Sequence, residues 1–270
     1  MSNDANKPSD ESLQSQVESE SAPEATPPEP WTPERVVEWN NYYNIYVAIG
    51  LLVLVVVNSL NLFEESAIFA SLRSGEITLS KGFPETTDTL SYTSEGQRWV
   101  NLGWMFDTIS AASFRLGKSF ASPEKADQYG AAAVTIVHSI VRLLTFLILL
   151  SIGKTKQGLW GRSILLGLAV VMGLGAGVVG TDLWGVFFLS LLLRFMFLAT
   201  DKGRTWAFWA IPAIFPLWVN FDASAGFGLL LTIGWGIGLI IGGKKFSPAF
   251  TPSKIAPILV SSFAACLINP

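Results

Sequence analysis

Seven uninterrupted apolar runs constrain this chain more than any other feature: residues 45–62, 130–152, 163–180, 183–200, 206–221, 223–243 and 255–268. Inside a bilayer every backbone N–H and C=O must find a partner within the protein, so such runs fold as helices or as a closed barrel. Barrel strands alternate apolar and polar residues, whereas these runs are continuous, which selects helices. A membrane span takes about 20 residues, with roughly 17–25 as the usual range. The first four runs and the sixth reach that length; 206–221 and 255–268 are short. Charged residues make up 14% of the chain, against about 25% in a soluble domain. The expectation is an all-α, polytopic membrane helix bundle of about seven transmembrane helices.

Charge sets the sidedness. With a cytoplasmic N-terminus, Lys154, Lys156 and Arg162, then Lys202 and Arg204, then Lys244, Lys245 and Lys254 all fall inside. The short outside connections carry Asp182 and Asp222 and no base. That asymmetry is the positive-inside pattern, and deleting either short run would spoil it. The predicted orientation is N-terminus cytoplasmic and C-terminus outside, with a bacterial inner (plasma) membrane as the best-fitting location.

Outside the apolar runs the chain divides cleanly. Residues 1–30 hold seven acids (Asp4, Asp10, Glu11, Glu18, Glu20, Glu24, Glu29) against Lys7 and read as a disordered acidic tail. No basic stretch followed by an apolar one occurs there, so no cleavable signal is expected. Residues 31–44 mix Trp31, Trp39, Tyr42 and Tyr43 with polar residues, as an interfacial helix does. The transmembrane domain occupies 45–270. Its one large connection is an outer loop, 63–128, in which two short interfacial helices are expected at about 65–78 and 100–116.

Several functions are disfavoured. A net charge of −3 without a basic cluster argues against nucleic acid. Cys266, the single cysteine, has no internal disulfide partner, and one histidine makes zinc chemistry very unfavourable. Gly-x-Gly-x-Gly at 173–177 sits within an apolar run and serves packing, as do Gly173 with Gly177 and Gly234 with Gly238 and Gly242. Pro212 and Pro216 should bend or interrupt their helix. A small-solute transporter would show duplicated halves, and no convincing repeat is found.

Two sets of residues are candidates for chemistry. Glu64 and Glu65 follow the first span directly; carboxylates there can take a proton from an acceptor hydroxyl or hold a divalent cation. The plainer reading is solvated charge at a helix end. His138 and Arg142 lie four apart, on one helix face, with Arg142 near mid-membrane. The pair can grip a lipid phosphate, or Arg142 can be satisfied by a buried partner such as Glu64 or Asp222, or by carbonyls. Arg194 is near the cytoplasmic end and is given no role.

Leu72-x-x-Gly75, Asp88-x-Leu90-Ser91-Tyr92-Thr93 and Gly96-x-x-Trp99-x-Asn101-x-x-Trp104 resemble the outer loop of a bacterial group of GT-C-like membrane proteins. Pro216-Leu217-Trp218-Val219-Asn220 and Leu267-Ile268-Asn269-Pro270 look like two later family motifs, so the resemblance covers about 45–270. It implies a GT-C fold with a cytoplasmic N-terminus, transferring a sugar from a polyprenyl-phosphate donor at the outer face. Glu65, with Glu64 beside it, would be the base or the ligand of a divalent cation. Arg142, His138, Asp222 and Trp104 would contact substrate. Against the family pattern, Ala67 stands at a second acidic position, Phe69-Ala70-Ser71 replaces Trp-Trp-His, and Asp222 replaces a histidine. Those departures imply an alternative: a non-catalytic membrane scaffold that keeps the fold and binds other membrane subunits. The chain ends where family members continue, which predicts a truncated or shortened member.

Overall fold

The computed structural model describes residues 32–59, 67–153, 159–171, 180–243, 253 and 255–269, with 33–41 and 67 described by backbone alone. Expectations for the acidic tail, for Glu64 and Glu65, for Gly173 and Gly177, and for the basic residues at 154, 156, 244, 245 and 254 lie outside the described residues. Packing divides the chain into two units, residues 1–41 and 42–270, and the second holds the helix bundle.

Among the described residues the protein is helical, with α1 Pro33–Ser59, α2 Ala67–Lys81, α3 Trp104–Ser119, α4 Ala126–Leu150, α5 Leu159–Ala169, α6 Thr181–Thr200, α7 Thr205–Phe221, α8 Ala225–Gly242 and α9 Ile255–Cys266. Each of the seven apolar runs overlaps one of these helices. Among the described residues, four stretches are long and apolar enough to cross a membrane: Tyr42–Ser59, Pro123–Leu150, Thr181–Thr200 and Ala225–Gly242. α5, α7 and α9 are apolar but shorter. The chain is thus an all-helical, integral membrane protein. α7 stays helical through Pro212 and Pro216, so of the expected bend or interruption the interruption does not occur.

α1 and α4 pack antiparallel. Leu51 and Val55 meet Phe146 and Leu150 in one apolar cluster, and at the end of α1 the Ser59 hydroxyl accepts from Arg142 Nη1 at 3.5 Å. A larger core joins Phe188, Leu192 and Met196 of α6, Phe208, Ile211, Phe215 and Trp218 of α7, Leu239 of α8, and Ile255 and Ile258 of α9. The C-terminus of α4 is capped by two arginines: Arg162 Nη1 donates to the Leu150 and Ile152 carbonyls at 2.8 and 2.7 Å, and Arg194 Nη1 to the Ser151 carbonyl at 2.5 Å. Cations there suit the negative end of the helix dipole. The sequence left Arg194 without a role; the structure gives it this one.

Two helices do form in the long connection, at 67–81 and 104–119. Both pack against the bundle. α3 lies lengthwise and antiparallel against the first half of α4: Phe106 meets His138 edge to face at 5.4 Å, and a Cβ at Gly117 would stand 2.3 Å from the Tyr129 carbonyl oxygen. α2 crosses α3 just as closely, since a Cβ at Gly75 would lie 2.0 Å from the Asp107 carbonyl oxygen. Ile68, Leu72, Phe106 and Val134 then continue the main core into this layer.

Glycine use in α8 differs from the expectation. A Cβ at Gly234 or Gly238 would meet nothing within 4 Å, whereas one at Gly228 would strike the Trp218 ring at 2.3 Å. The buried face of α8 is Ala225, Gly228, Thr232, Gly236 and Leu239; the even spacing of Gly234 and Gly238 belongs to the opposite face.

Candidate functional site

One end of the bundle gathers Ser59, the start of α6, the α7–α8 connection, the chain's last residues and the α2–α3 layer. Four of the six candidate residues can be placed there; Glu64 and Glu65, between α1 and α2, cannot.

Trp104 opens α3 and donates its indole N–H to Asn220 Oδ1 at 2.6 Å. Asn220 in turn donates through Nδ2 to the carbonyls of Pro216 and Ile268, each at 2.7 Å. Asn269 Nδ2 returns a bond to the Val219 carbonyl at 3.1 Å. Trp104 therefore fastens the long connection to α7 and to the chain end. Asp222 is buried beside Gly185, whose added Cβ would sit 2.6 Å from Asp222 Oδ1. That oxygen accepts the Ser224 N–H at 2.9 Å, and the Ser224 hydroxyl accepts the Trp218 indole N–H at 3.0 Å. Asp222 thus holds the turn into α8, where an acidic side chain satisfies otherwise orphaned donors. Among the described residues it forms no ion pair with Arg142.

His138 is 2% exposed. Its Nδ1 is 2.8 Å from the Val134 carbonyl, which fixes Nδ1 as the donor nitrogen. The ring lies between Phe106 and Trp184, the latter at 6.3 Å and edge to face, and Trp184 stacks on Phe221 at 4.3 Å. Among the described residues, neither His138 Nε2 nor Trp184 Nε1, both buried, has a hydrogen-bond partner. Arg142, one helical turn further along, is buried against Ser59. The structure therefore brings His138, Arg142, Trp104 and Asp222 to one end, linked through Phe106, Trp184 and Phe221.

A second polar set went unread in the sequence. Asp107, in the first turns of α3, is 6% exposed. Asn101 Nδ2 donates to its Oδ2 at 2.6 Å and to Ser74 Oγ at 3.0 Å, while Asn101 Oδ1 accepts the Gly103 N–H at 3.0 Å. Burial pushes the Asp107 carboxyl above its ordinary value, against the pull of hydrogen bonds from Asn101, Ser74 and Ser71. These groups line a groove of about 420 Å³ whose other walls include Asp88, Trp99 and Thr181. Asp88 shapes its rim: Oδ1 accepts the Leu90 and Ser91 N–H groups at 3.0 and 2.8 Å, and its N–H and carbonyl pair with Gln97 and Gly96. The signal for Asp107 was a polar position within a stripe of small residues, since Asp107, Ser110, Ala111 and Gly117 share the buried side of α3.

Among the described residues, no three His, Cys, Asp or Glu side chains gather in a way that would hold a metal ion. Comparison with known proteins gives no match to a family model, to a curated protein or to a solved structure.

Proposed function

We propose that this protein transfers a sugar from a polyprenyl-phosphate donor at the outer face of a bacterial plasma membrane, through a GT-C-like bundle of seven spans with a cytoplasmic N-terminus. The observation that carries the reading is the convergence at one end of an apolar bundle. A buried cation, Arg142, and a buried imidazole, His138, whose Nε2 has no hydrogen-bond partner among the described residues, lie one helix away from a polar groove built by the loop that carries the family-like motif. Charge buried at such depth is costly and marks sites that use it.

In the proposed reaction a carboxylate, Glu65 by the resemblance, takes the proton of an acceptor hydroxyl. The new bond forms between that oxygen and the anomeric carbon. The bond from the anomeric carbon to the donor phosphate oxygen breaks, and the electron pair leaves with polyprenyl phosphate. Arg142 offsets the phosphate charge. Transfer of radiolabelled sugar by the full chain in lipid is the test, with Glu65→Gln expected to abolish transfer while leaving insertion and thermal melting unchanged. Full activity in that variant removes the role.

A second reading, a non-catalytic scaffold for other membrane subunits, has an observation of its own. Trp104 and Asp222, expected at the substrate, are committed to internal hydrogen bonds. Co-purification with a defined membrane complex, together with no transfer from any lipid-linked sugar, would favour it.

A further inference from the structure

The groove beside Asp107 carries an assignment of its own. It exists because α2 and α3 cross at Gly75, which sets Ser71 and Ser74 over the first turns of α3. The returning loop adds Asn101 and Trp99, and the turn held by Asp88 closes the rim. A volume of about 420 Å³ lies within the roughly 300–1,000 Å³ range of small-molecule sites. The lining is selective. Among the described residues it contains two carboxylates, a carboxamide, hydroxyls and one indole, and no Lys, Arg or His. Phosphate or another anion would meet Asp107 and Asp88 with no compensating charge among the described lining residues. A divalent ion would find no third ligand among the described residues. A neutral ligand rich in hydroxyls fits, because each O–H can donate to carboxylate oxygen and accept from an amide or hydroxyl, and an indole face covers the apolar side of a sugar ring.

We propose that this groove binds a glycosyl group, with its hydroxyls hydrogen-bonded to Asp107 and the Ser71–Asn101 edge and its ring against Trp99. The assignment deepens the glycosyl-transfer reading and rests on it for the choice of a sugar among polyols. Thr181, the first residue of α6, is part of the wall. The groove therefore opens where the apolar helices begin, within reach of a lipid-borne headgroup as well as a soluble glycan.

The test uses the full chain in nanodiscs free of glycoside detergent, which would compete for the groove. Saturation-transfer NMR reads methyl glucoside, galactoside, mannoside and N-acetylglucosaminide, with choline and inorganic phosphate as comparators. A parallel arm loads the discs with a polyprenyl-phosphate hexose and reads protection of Trp99 from fluorescence quenching. At least one glycoside should saturate, weakened about tenfold or more by Asp107→Asn and by Trp99→Leu. A response in the lipid arm alone assigns the groove to a lipid headgroup; a response to free glycoside assigns it to a soluble glycan. Should Asp107→Asn fail to fold, Trp99→Leu and Ser71→Ala carry the test, since neither interrupts a helix. Equal binding by all variants, preference for choline or phosphate, or no response in either arm overturns the proposal. Sugar binding without transfer leaves it standing while the enzyme reading falls. Transfer that ignores these variants does the reverse.

Discussion

Changing Gly75 to alanine and Gly234 to alanine is the same chemical step on two helices, and the structure assigns it opposite outcomes. In a helix interior, replacing glycine by alanine is worth about 0.5–1 kcal/mol through reduced backbone freedom. At Gly234 no described residue lies within 4 Å of the new Cβ, so that gain should be kept. At Gly75 the Cβ would stand 2.0 Å from the Asp107 carbonyl oxygen and 2.7 Å from the Ala111 Cβ, where 3.4 Å begins ordinary contact. Neither atom is the end of a flexible side chain, so α2 and α3 must separate by roughly the 1.4 Å between 2.0 and 3.4. Overpacking of this kind costs about 1–3 kcal/mol. The shift also strains the Asn101–Ser74 bond, worth about 1 kcal/mol. Net of the helix gain, Gly75→Ala should lose about 2 kcal/mol, or about 4–8 °C of melting temperature for a chain this size. Thermal melting of both variants in one lipid system is the assay. Gly75→Ala melting at or above the parent, or Gly234→Ala losing as much as Gly75→Ala, would refute the close crossing.

Three other outcomes are expected. Asp107 holds its proton more tightly folded than unfolded, because burial raises its pKa; its contribution therefore favours folding at low pH and is lost as pH rises from the ordinary 3.8 through the raised folded value. Melting curves of the parent and Asp107→Asn should converge at low pH, with the parent relatively weaker near neutrality; parallel curves would contradict this. Asp222→Ala should cost about 1 kcal/mol of stability by releasing the Ser224 amide, and Asp222→Asn should restore most of it, whereas loss of transfer with unchanged melting would place Asp222 at the substrate. Tyr92 is 97% exposed on its turn, so Tyr92→Cys in a Cys266→Ser background should react with an impermeant maleimide on intact cells. Labelling only after permeabilisation would reverse the orientation.

Helix placement was legible because seven apolar runs carry their own signal, and every one overlaps a helix. Packing faces were not. Gly234 and Gly238 repeat as neatly as Gly228 and Gly236, and only a partner such as Trp218 decides which side turns inward. The loop motif was readable as sequence but not as chemistry. Leu72 is buried in the core, Gly75 permits a crossing, and Trp104 binds Asn220 across 116 residues. Pairing over such separations leaves no local trace. Asp107 was missed for the related reason that its partners, Ser74 and Asn101, sit on other segments.

The Asn220 junction has a consequence for biogenesis. Synthesis runs from the N-terminus, so Trp104 leaves the ribosome long before Asn220, and Ile268 later still, 48 residues beyond Asn220. The α2–α3 layer can form and pack on α4 early, yet its latch to α7 waits for Asn220, and the bond from Asn220 to the Ile268 carbonyl closes only after α9 is made. A nascent chain arrested before α7 should carry the layer assembled but unlatched, open to proteases that the finished molecule resists.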